Sequence, residues 1–234
     1  MDISAIKLYA THEHPCSYLK DRSATTIFVD PTLTLDGHIY SELSDFGFRR
    51  SGKHIYRPNC RACHACIPVR IPVDEFEPTR AQKRCWKRNQ DVSTTVINSI
   101  TSDEHYDLYA RYIEQRHSDG DMYPPSREQY EDFLSAEWGV TRYLEFRVHD
   151  KLIGVAVSDQ LDQGLSAIYT FFAPDEAGRS LGVLAVLRQI ELAKQLKLPY
   201  VYLGYWIRDC TKMRYKTQYR PLQMFVNNHW LTFS

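Results

Sequence analysis

From Val92 onward the chain alternates between runs with a period of two and runs with a period near 3.6, and this order restricts the fold more than any other feature. Val92–Ile100, with Thr94, Thr95, Val96 and Ile97, reads as a strand. Residues 102–117 read as a helix with Tyr106, Tyr109, Ala110 and Ile113 on one face. Ser126 caps a second helix through Trp138. Strands follow at Arg142–His149 and Leu152–Leu161, joined at Asp150-Lys151, then at Ser166–Phe172, which Pro174 breaks. A strongly apolar helix covers Leu181–Leu196, a strand Tyr200–Leu203, a short helix 209–217 and a last strand Leu222–Val226. The order β-α-α-β-β-β-α-β-α-β describes an α/β unit, a mixed sheet with helices on both faces.

It is also the order of an acetyltransferase-type (GNAT) fold, so 91–234 is expected to be a GNAT-like acyltransferase domain. The first ninety residues read differently. Residues 25–30 form a short strand ended by Pro31, and 38–46 a helix stopped by Gly47. Residues 47–57 and 67–73 are strands, with a turn at Ser51-Gly52. Thr79-Arg-Ala-Gln82 has the capping-box pattern and opens a helix that ends near Asn89. These elements make 1–90 a smaller, basic, cysteine-containing α+β domain.

The formal net charge is zero, so attraction to a polyanion must come from local patches. No run of 18 apolar residues is present, which argues against a membrane-spanning helix. MDISAIKLYATHEH lacks the basic start and apolar stretch of a secretory signal. Reduced thiols and a cytoplasmic location are therefore expected for the six cysteines.

Three of those cysteines lie within seven residues, in FGFRRSGKHIYRPNCRACHACIPVRIP (46–72). Mutual disulfides there would close very small loops. Cys60, Cys63 and Cys66 are better suited to a zinc ion or an iron–sulfur cluster, with Cys16 as the natural fourth ligand and Cys85 a weaker one. Small core residues or a redox-sensitive set are the alternatives. The same stretch has no Asp or Glu between Asp45 and Asp74, but it carries Arg49, Arg50, Lys53, Arg57, Arg61 and Arg70. Such a segment can hold an anion beside thiols.

Two further cationic clusters stand out. In the helix 79–89, Arg80, Lys83, Arg84, Lys87 and Arg88 fall on one face at steps of three and four, with Trp86 and Asn89 beside them. A solvated face is the plain alternative, but like charges this dense gain from a polyanion through counterion release. Arg208, Lys212, Arg214, Lys216 and Arg220 form the second cluster, interleaved with Tyr205, Tyr215 and Tyr219. Basic and aromatic residues together suit RNA, especially a single-stranded end. The place of a coenzyme A pyrophosphate loop reads Arg179-Ser-Leu-Gly182-Val-Leu184; Leu184 stands where close backbone approach needs a small residue.

Long, ordered strings carry a family resemblance. They are Pro15-Cys16-Ser17-Tyr18-Leu19, Gly47-Phe48-Arg49-Arg50-Ser51-Gly52, Tyr56-Arg57-Pro58-Asn59-Cys60, Cys63-His64-Ala65-Cys66-Ile67-Pro68-Val69-Arg70, Tyr202-Leu203-Gly204-Tyr205-Trp206-Ile207 and Lys212-Met213-Arg214-Tyr215-Lys216. On these the chain resembles the arginyl-tRNA–protein transferase family, most closely its bacterial aspartate/glutamate leucyltransferase branch. The resemblance implies transfer of leucine from leucyl-tRNA to the N-terminal Asp or Glu of a protein, which marks that protein for degradation; arginine is the alternative donor residue. The ester is already activated, so the chemistry requires no cofactor.

For such a reaction Tyr169, Tyr205 and Lys212 are the candidate catalytic donors to an oxyanion, with Trp206 near them and Lys216 as a further donor. A core tyrosine with a satisfied hydroxyl is the alternative for Tyr169. Arg49, Arg50, Arg57 and Arg70, supported by Ser51 and Tyr56, are candidates to grip the acceptor's carboxylate. Arg80, Lys83, Arg84, Lys87, Arg88 and Lys216 are candidates for tRNA. Two rivals stay open: a coenzyme A-dependent N-acetyltransferase, and a non-catalytic zinc-ribbon RNA-binding module.

Overall fold

The computed structural model describes residues 5–135 and 138–234. Its strands are β1 (Leu8–Ala10), β2 (His14–Pro15), β3 (Ser23–Ala24), β4 (Thr26–Val29), β5 (Arg49–Ser51), β6 (His54–Pro58), β7 (Ile67–Pro72), β8 (Val92–Ile97), β9 (Thr141–Val148), β10 (Lys151–Leu161), β11 (Gly164–Phe172), β12 (Tyr200–Trp206), β13 (Leu222–Val226) and β14 (His229–Phe233). The helices are α1 (Gly37–Asp45), α2 (Arg80–Arg88), α3 (Asp103–Arg116), α4 (Arg127–Leu134) and α5 (Leu181–Gln195). No helix among the described residues is long and apolar enough to cross a membrane.

Eight strands make one mixed sheet in the order β14-β13-β7-β12-β11-β10-β9-β8. Every neighbouring pair is antiparallel except β11 and β12. A parallel pair needs a crossover, and α5 supplies it. Its Leu184, Ala185, Val186, Leu187 and Ile190 are buried under the sheet. β10 is the middle of the core: its run Leu152–Ser158 is buried throughout, which is why the sequence there is continuously apolar rather than alternating. The smaller sheet, β1-β4-β6-β5, packs with α1 on its own cluster of Ile27, Val29, Ile39, Tyr40, Leu43, Phe48 and Ile55. The units expected over 1–90 and 91–234 share the large sheet, because β7 of the first is inserted between β12 and β13 of the second.

Local chemistry explains most boundaries. Asp36 caps α1 through Ile39 N, and Thr79 and Gln82 complete the capping box of α2. Ser126 caps α4, which ends at Leu134; of the longer helix expected there, residues 136–137 lie outside those described. Of the face expected on α3, Tyr109 and Ile113 are buried and Tyr106 and Ala110 partly so; His105, Leu108 and Tyr112 widen it, with His105 held by Ser102 Oγ at 2.6 Å and Glu145 Oε2 at 2.8 Å. The short helix expected over 209–217 is a 3₁₀ turn, Arg214–Gln218, since five residues ahead of Pro221 are too few to nucleate an α-helix. β14 was not expected; Asn227 and Asn228, both at positive φ, form the hairpin turn that creates it.

The two sheets are joined by a charged tie. Arg50, on β5, donates from Nε and Nη2 to both oxygens of Asp159 on β10, the latter at 2.9 Å, and both side chains are fully buried. Its remaining N–H groups reach the carbonyls of Phe133, Leu134 and Ser135 and Thr141 Oγ1, while Asp159 also accepts from Tyr40 and Thr141. Removing one member strands the other charge in the interior. Arg50→Met is expected to lower unfolding free energy by about 3–5 kcal/mol in a urea titration, and the double variant R50M/D159L to lose less than the single.

Candidate active site

The parallel ladder between β11 and β12 is short. It pairs Gly164 with Tyr200, Leu165 with Val201 and Ser166 with Tyr202, and then stops, although β11 runs on to Phe172 and β12 to Trp206. Arg49, from β5, occupies the start of this opening. Its Nη1 donates to Ser166 Oγ at 2.9 Å and its Nη2 to the carbonyl of Ala167, so it satisfies groups that the ladder leaves free. The guanidinium lies against Gly204, whose φ is +75°; a Cβ there would stand 3.1 Å from Arg49 Cζ. Glycine is required at 204 for both reasons.

Lys216 enters from the 3₁₀ turn. Only 5% of it is exposed. Its Nζ donates to the carbonyl of Tyr205 near the end of β12 and lies 3.2 Å from Met213 Sδ. No carboxylate forms a salt bridge with it among the described residues. Burial, and then the repulsion of Arg49, pull its pKa down to about 7. Two more polar atoms at this end of the strands, Tyr169 Oη and Trp206 Nε1, are buried with no hydrogen-bond partner among the described residues. Tyr169 packs edge-on against Tyr109, Tyr112 and Phe133, and burial raises its pKa well beyond the ordinary phenol range.

The other sequence candidates separate by what their polar atoms already do. Tyr205 is buried and its hydroxyl donates to the Gly47 carbonyl at 2.9 Å, so it clamps the α1–β5 turn to β12 and has no free donor. Lys212 is exposed and pairs with Asp119 at 3.4 Å. Arg50 is the internal tie described above and does not reach solvent. Arg70 is 7% exposed and stacked between Tyr200 and Trp230, 3.5 and 4.2 Å from their ring centres, with Gln223, Asp45 and Tyr202 as hydrogen-bond partners. Both have their donors engaged by partners that sequence spacing does not reveal. Ser51 lines a separate recess with Lys53, His54, Asp121, Glu128 and Asp132. Tyr56 sits beside Tyr205, ring centres 6.3 Å apart. Arg57 keeps most of its donors: one N–H meets the Phe46 carbonyl at 2.8 Å and the group lies over the Phe48 ring.

Along α2, Arg80, Lys83, Arg84, Lys87 and Arg88 are all exposed, while Gln82 and Cys85 face inward. The one polar contact found for them is Arg88 to the Gly178 carbonyl. Lys216, grouped with them from the sequence, is instead buried at the strand opening. Cys85 of α2 and Asn89, which caps the end of α2, pack on the residues just ahead of α5, with Asn89 Nδ2 donating to the Arg179 carbonyl at 2.9 Å; Arg179 is paired with Asp91, and Leu184 is fully buried.

Cys16, Cys60, Cys63 and Cys66 are free thiols, each half-buried. Burial pushes the Cys66 thiol up to about 12, with the neighbouring Cys60, Cys16, Cys63 and Cys210 adding to the rise. Cys60 Sγ donates to the Thr25 carbonyl at 3.7 Å. Among the described residues no three His, Cys, Asp or Glu side chains converge as metal ligands do. The thiols gather in one region but, as arranged, do not fit a zinc or cluster cage.

Residues 14–84 match the family described as arginine-tRNA-protein transferase, N terminus, and residues 104–226 match arginine-tRNA-protein transferase, C terminus. The chain belongs to this family of transferases. A protein of Saccharophagus degradans named aspartate/glutamate leucyltransferase is 61% identical over 99% of both chains. Proteins of that name in Teredinibacter turnerae and Pseudomonas fluorescens are 58% and 52% identical, over 98% and 100% of this chain and 95% and 99% of theirs. The chain therefore falls in the bacterial branch. Among solved structures, L-PGS from Bacillus licheniformis aligns over 72% of this chain and 49% of its own at 11% identity, TM-score 0.46, a likeness too slight to carry an argument.

The buried Lys216 leaves a thermodynamic mark. Its folded pKa is below the unfolded value, so between the two the unfolded chain binds the extra proton and stability rises with pH. From about pH 7 to about pH 8.5 the protein is expected to gain stability that Lys216→Met does not gain; the thiols of the unfolded chain, which begin to ionise in that range, contribute alike to both proteins and cancel in the difference. Chemical unfolding of both proteins across that range measures the difference in slope.

Proposed function

We propose that the protein transfers leucine from leucyl-tRNA to the α-amino group of proteins that begin with Asp or Glu, a step that marks them for degradation. The observation that carries this is the full-length identity to proteins named aspartate/glutamate leucyltransferase. The separated ends of β11 and β12, reached through an α5 crossover, favour a GNAT-like reading of the sheet, with a cysteine-containing N-terminal α+β unit set on it. We take the division near residue 90 as a division of roles within one shared sheet.

The chemistry asks little of the enzyme. The ester is activated, and an α-amine with a pKa of about 8 is partly neutral at cellular pH. Holding amine and ester in line supplies up to about 7–11 kcal/mol. Tyr169 Oη and Trp206 Nε1, donors without partners, are suited to the oxyanion of the tetrahedral intermediate. Arg49 and Arg57, cations whose protein partners are hydroxyl and carbonyl oxygens rather than carboxylates, are suited to the acceptor's acidic side chain. The exposed cations of α2 are suited to the tRNA backbone. A coenzyme A donor is disfavoured by the covered start of α5. The transfer itself requires no cofactor, because the ester is already activated. A reaction fed by aminoacyl-tRNA belongs in the cytoplasm.

Incubation of an Asp-initiated peptide with the enzyme and a mixture of charged tRNAs is expected to add one leucine residue, read by mass spectrometry; addition of arginine instead, or no addition, rejects the donor or the reaction. The double reversal R84E/R88E is expected to weaken tRNA binding and to reduce the slope of log affinity against log salt by about one to two contacts' worth; a salt series by fluorescence anisotropy that overlays wild type removes α2 from the interface.

A further inference from the structure

The groups around the strand opening differ sharply in whether they can accept a proton. Arg49 is a permanent cation. Tyr205 has its hydroxyl bonded to the Gly47 carbonyl. The Tyr169 hydroxyl and the Cys66 thiol are held protonated by burial. Lys212 is on the surface beside Asp119. Lys216 differs from all of these. It is buried at the end of β12, its Nζ is fixed by the Tyr205 carbonyl and Met213 Sδ, and the charged or titratable groups facing it are Arg49 from β5, Cys66 ahead of β7, Cys210 from its own loop and the Tyr215 ring 5.9 Å away. None is a carboxylate. An amine packed in apolar surroundings next to a fixed cation is poorly placed to keep its own charge, and a neutral amine is a base.

We infer that Lys216 is a catalytic proton carrier of the transfer reaction: its neutral amine, at the open end of β12, receives the proton that the acceptor's amine releases on attacking the ester. This rests on the leucyl transfer proposed above. The acceptor ammonium gives one proton to solvent on binding as the free amine. As its nitrogen forms the C–N bond, a second proton moves to Lys216 Nζ. As the ester C–O bond breaks, the Lys216 ammonium returns that proton to the departing ribose oxygen. The enzyme ends each cycle as it began, and one proton in total is released to water. The Tyr205 carbonyl accepts from Nζ in both charge states, so the amine is held in place while its proton count changes.

The test uses the full-length protein, an Asp-initiated peptide and leucyl-tRNA. Wild type that leaves the peptide unmodified defeats the functional reading, and this inference with it. If wild type transfers leucine, K216M and K216R are compared with it. Both are expected to lose about 10²- to 10⁴-fold in kcat with a much smaller change in KM for the peptide. The arginine variant separates the roles: it keeps the charge and donors but cannot give up a proton, so a merely structural cation would be rescued by it and a proton carrier would not. Ethylamine is expected to restore part of the activity of K216A. Lys216 in wild type, followed by ¹⁵N-lysine NMR, is expected to titrate at the same pH as the acid limb of kcat. K216R at the wild-type rate, or a wild-type Lys216 signal titrating in the ordinary lysine range, overturns the assignment; the NMR arm holds even if the variants fold poorly.

Discussion

One guanidinium sets the geometry on which the active site depends. A parallel strand pair that simply continued past Ser166 and Tyr202 would close its ladder and leave no room for two substrates. Here Arg49 inserts between the strands, donates to Ser166 Oγ and the Ala167 carbonyl, and rests on Gly204. The polar groups of β11 are satisfied without β12, so separation of the strands carries no large penalty from unmade hydrogen bonds. A lysine would not do the same, because a point charge cannot hold two acceptors in the plane of a fork. The same cation faces Lys216 and, after burial, helps to lower the pKa of that amine. Strand separation, cation placement and proton affinity are thus one arrangement.

A chain with no net charge achieves its cationic character by position. Arg50 and Arg70 are interior: the first bonds Asp159 and four backbone carbonyls, the second is sandwiched by aromatic rings. Arg50 ties the smaller sheet to the larger one, and Arg70, on β7, holds Gln223 of the neighbouring β13 and Asp45 of α1. Arg49, Arg57 and the α2 cations are left without acidic partners among the described residues, and these are the cations free to meet an anion. Acidic side chains on other elements balance the total and serve locally, as Glu104 and Glu145 do with Arg147, and Asp119 with Lys212.

Much of the architecture was legible before the structure, and the reasons differ by element. The capping box at Thr79, the Ser51-Gly52 turn and the apolar run of α5 are local signals, and local signals survive in the fold. What was not legible depends on distant partners. Nothing near Arg50 announces Asp159, 109 positions away. Ser166 reads as an ordinary strand residue, and its contact with Arg49 exists only through tertiary packing. Gly204 looks like the end of a strand, yet β12 continues through it to Trp206. Lys216 was indistinguishable from its surface neighbours because composition counts charges and not depth. The Asn227-Asn228 turn was a readable sign of β14 that passed unnoticed.

The placement of β7 between β12 and β13 governs how the protein can be made. Its partners lie 128 or more positions further along, at Tyr200–Trp206 and Leu222–Val226. At a synthesis rate of about 5–20 residues per second, roughly ten seconds pass before they leave the ribosome. During that interval an apolar strand waits with both edges unpaired. The nascent chain is therefore a natural client for holding chaperones, and the amino-terminal half becomes complete only when the last strands are threaded beside it.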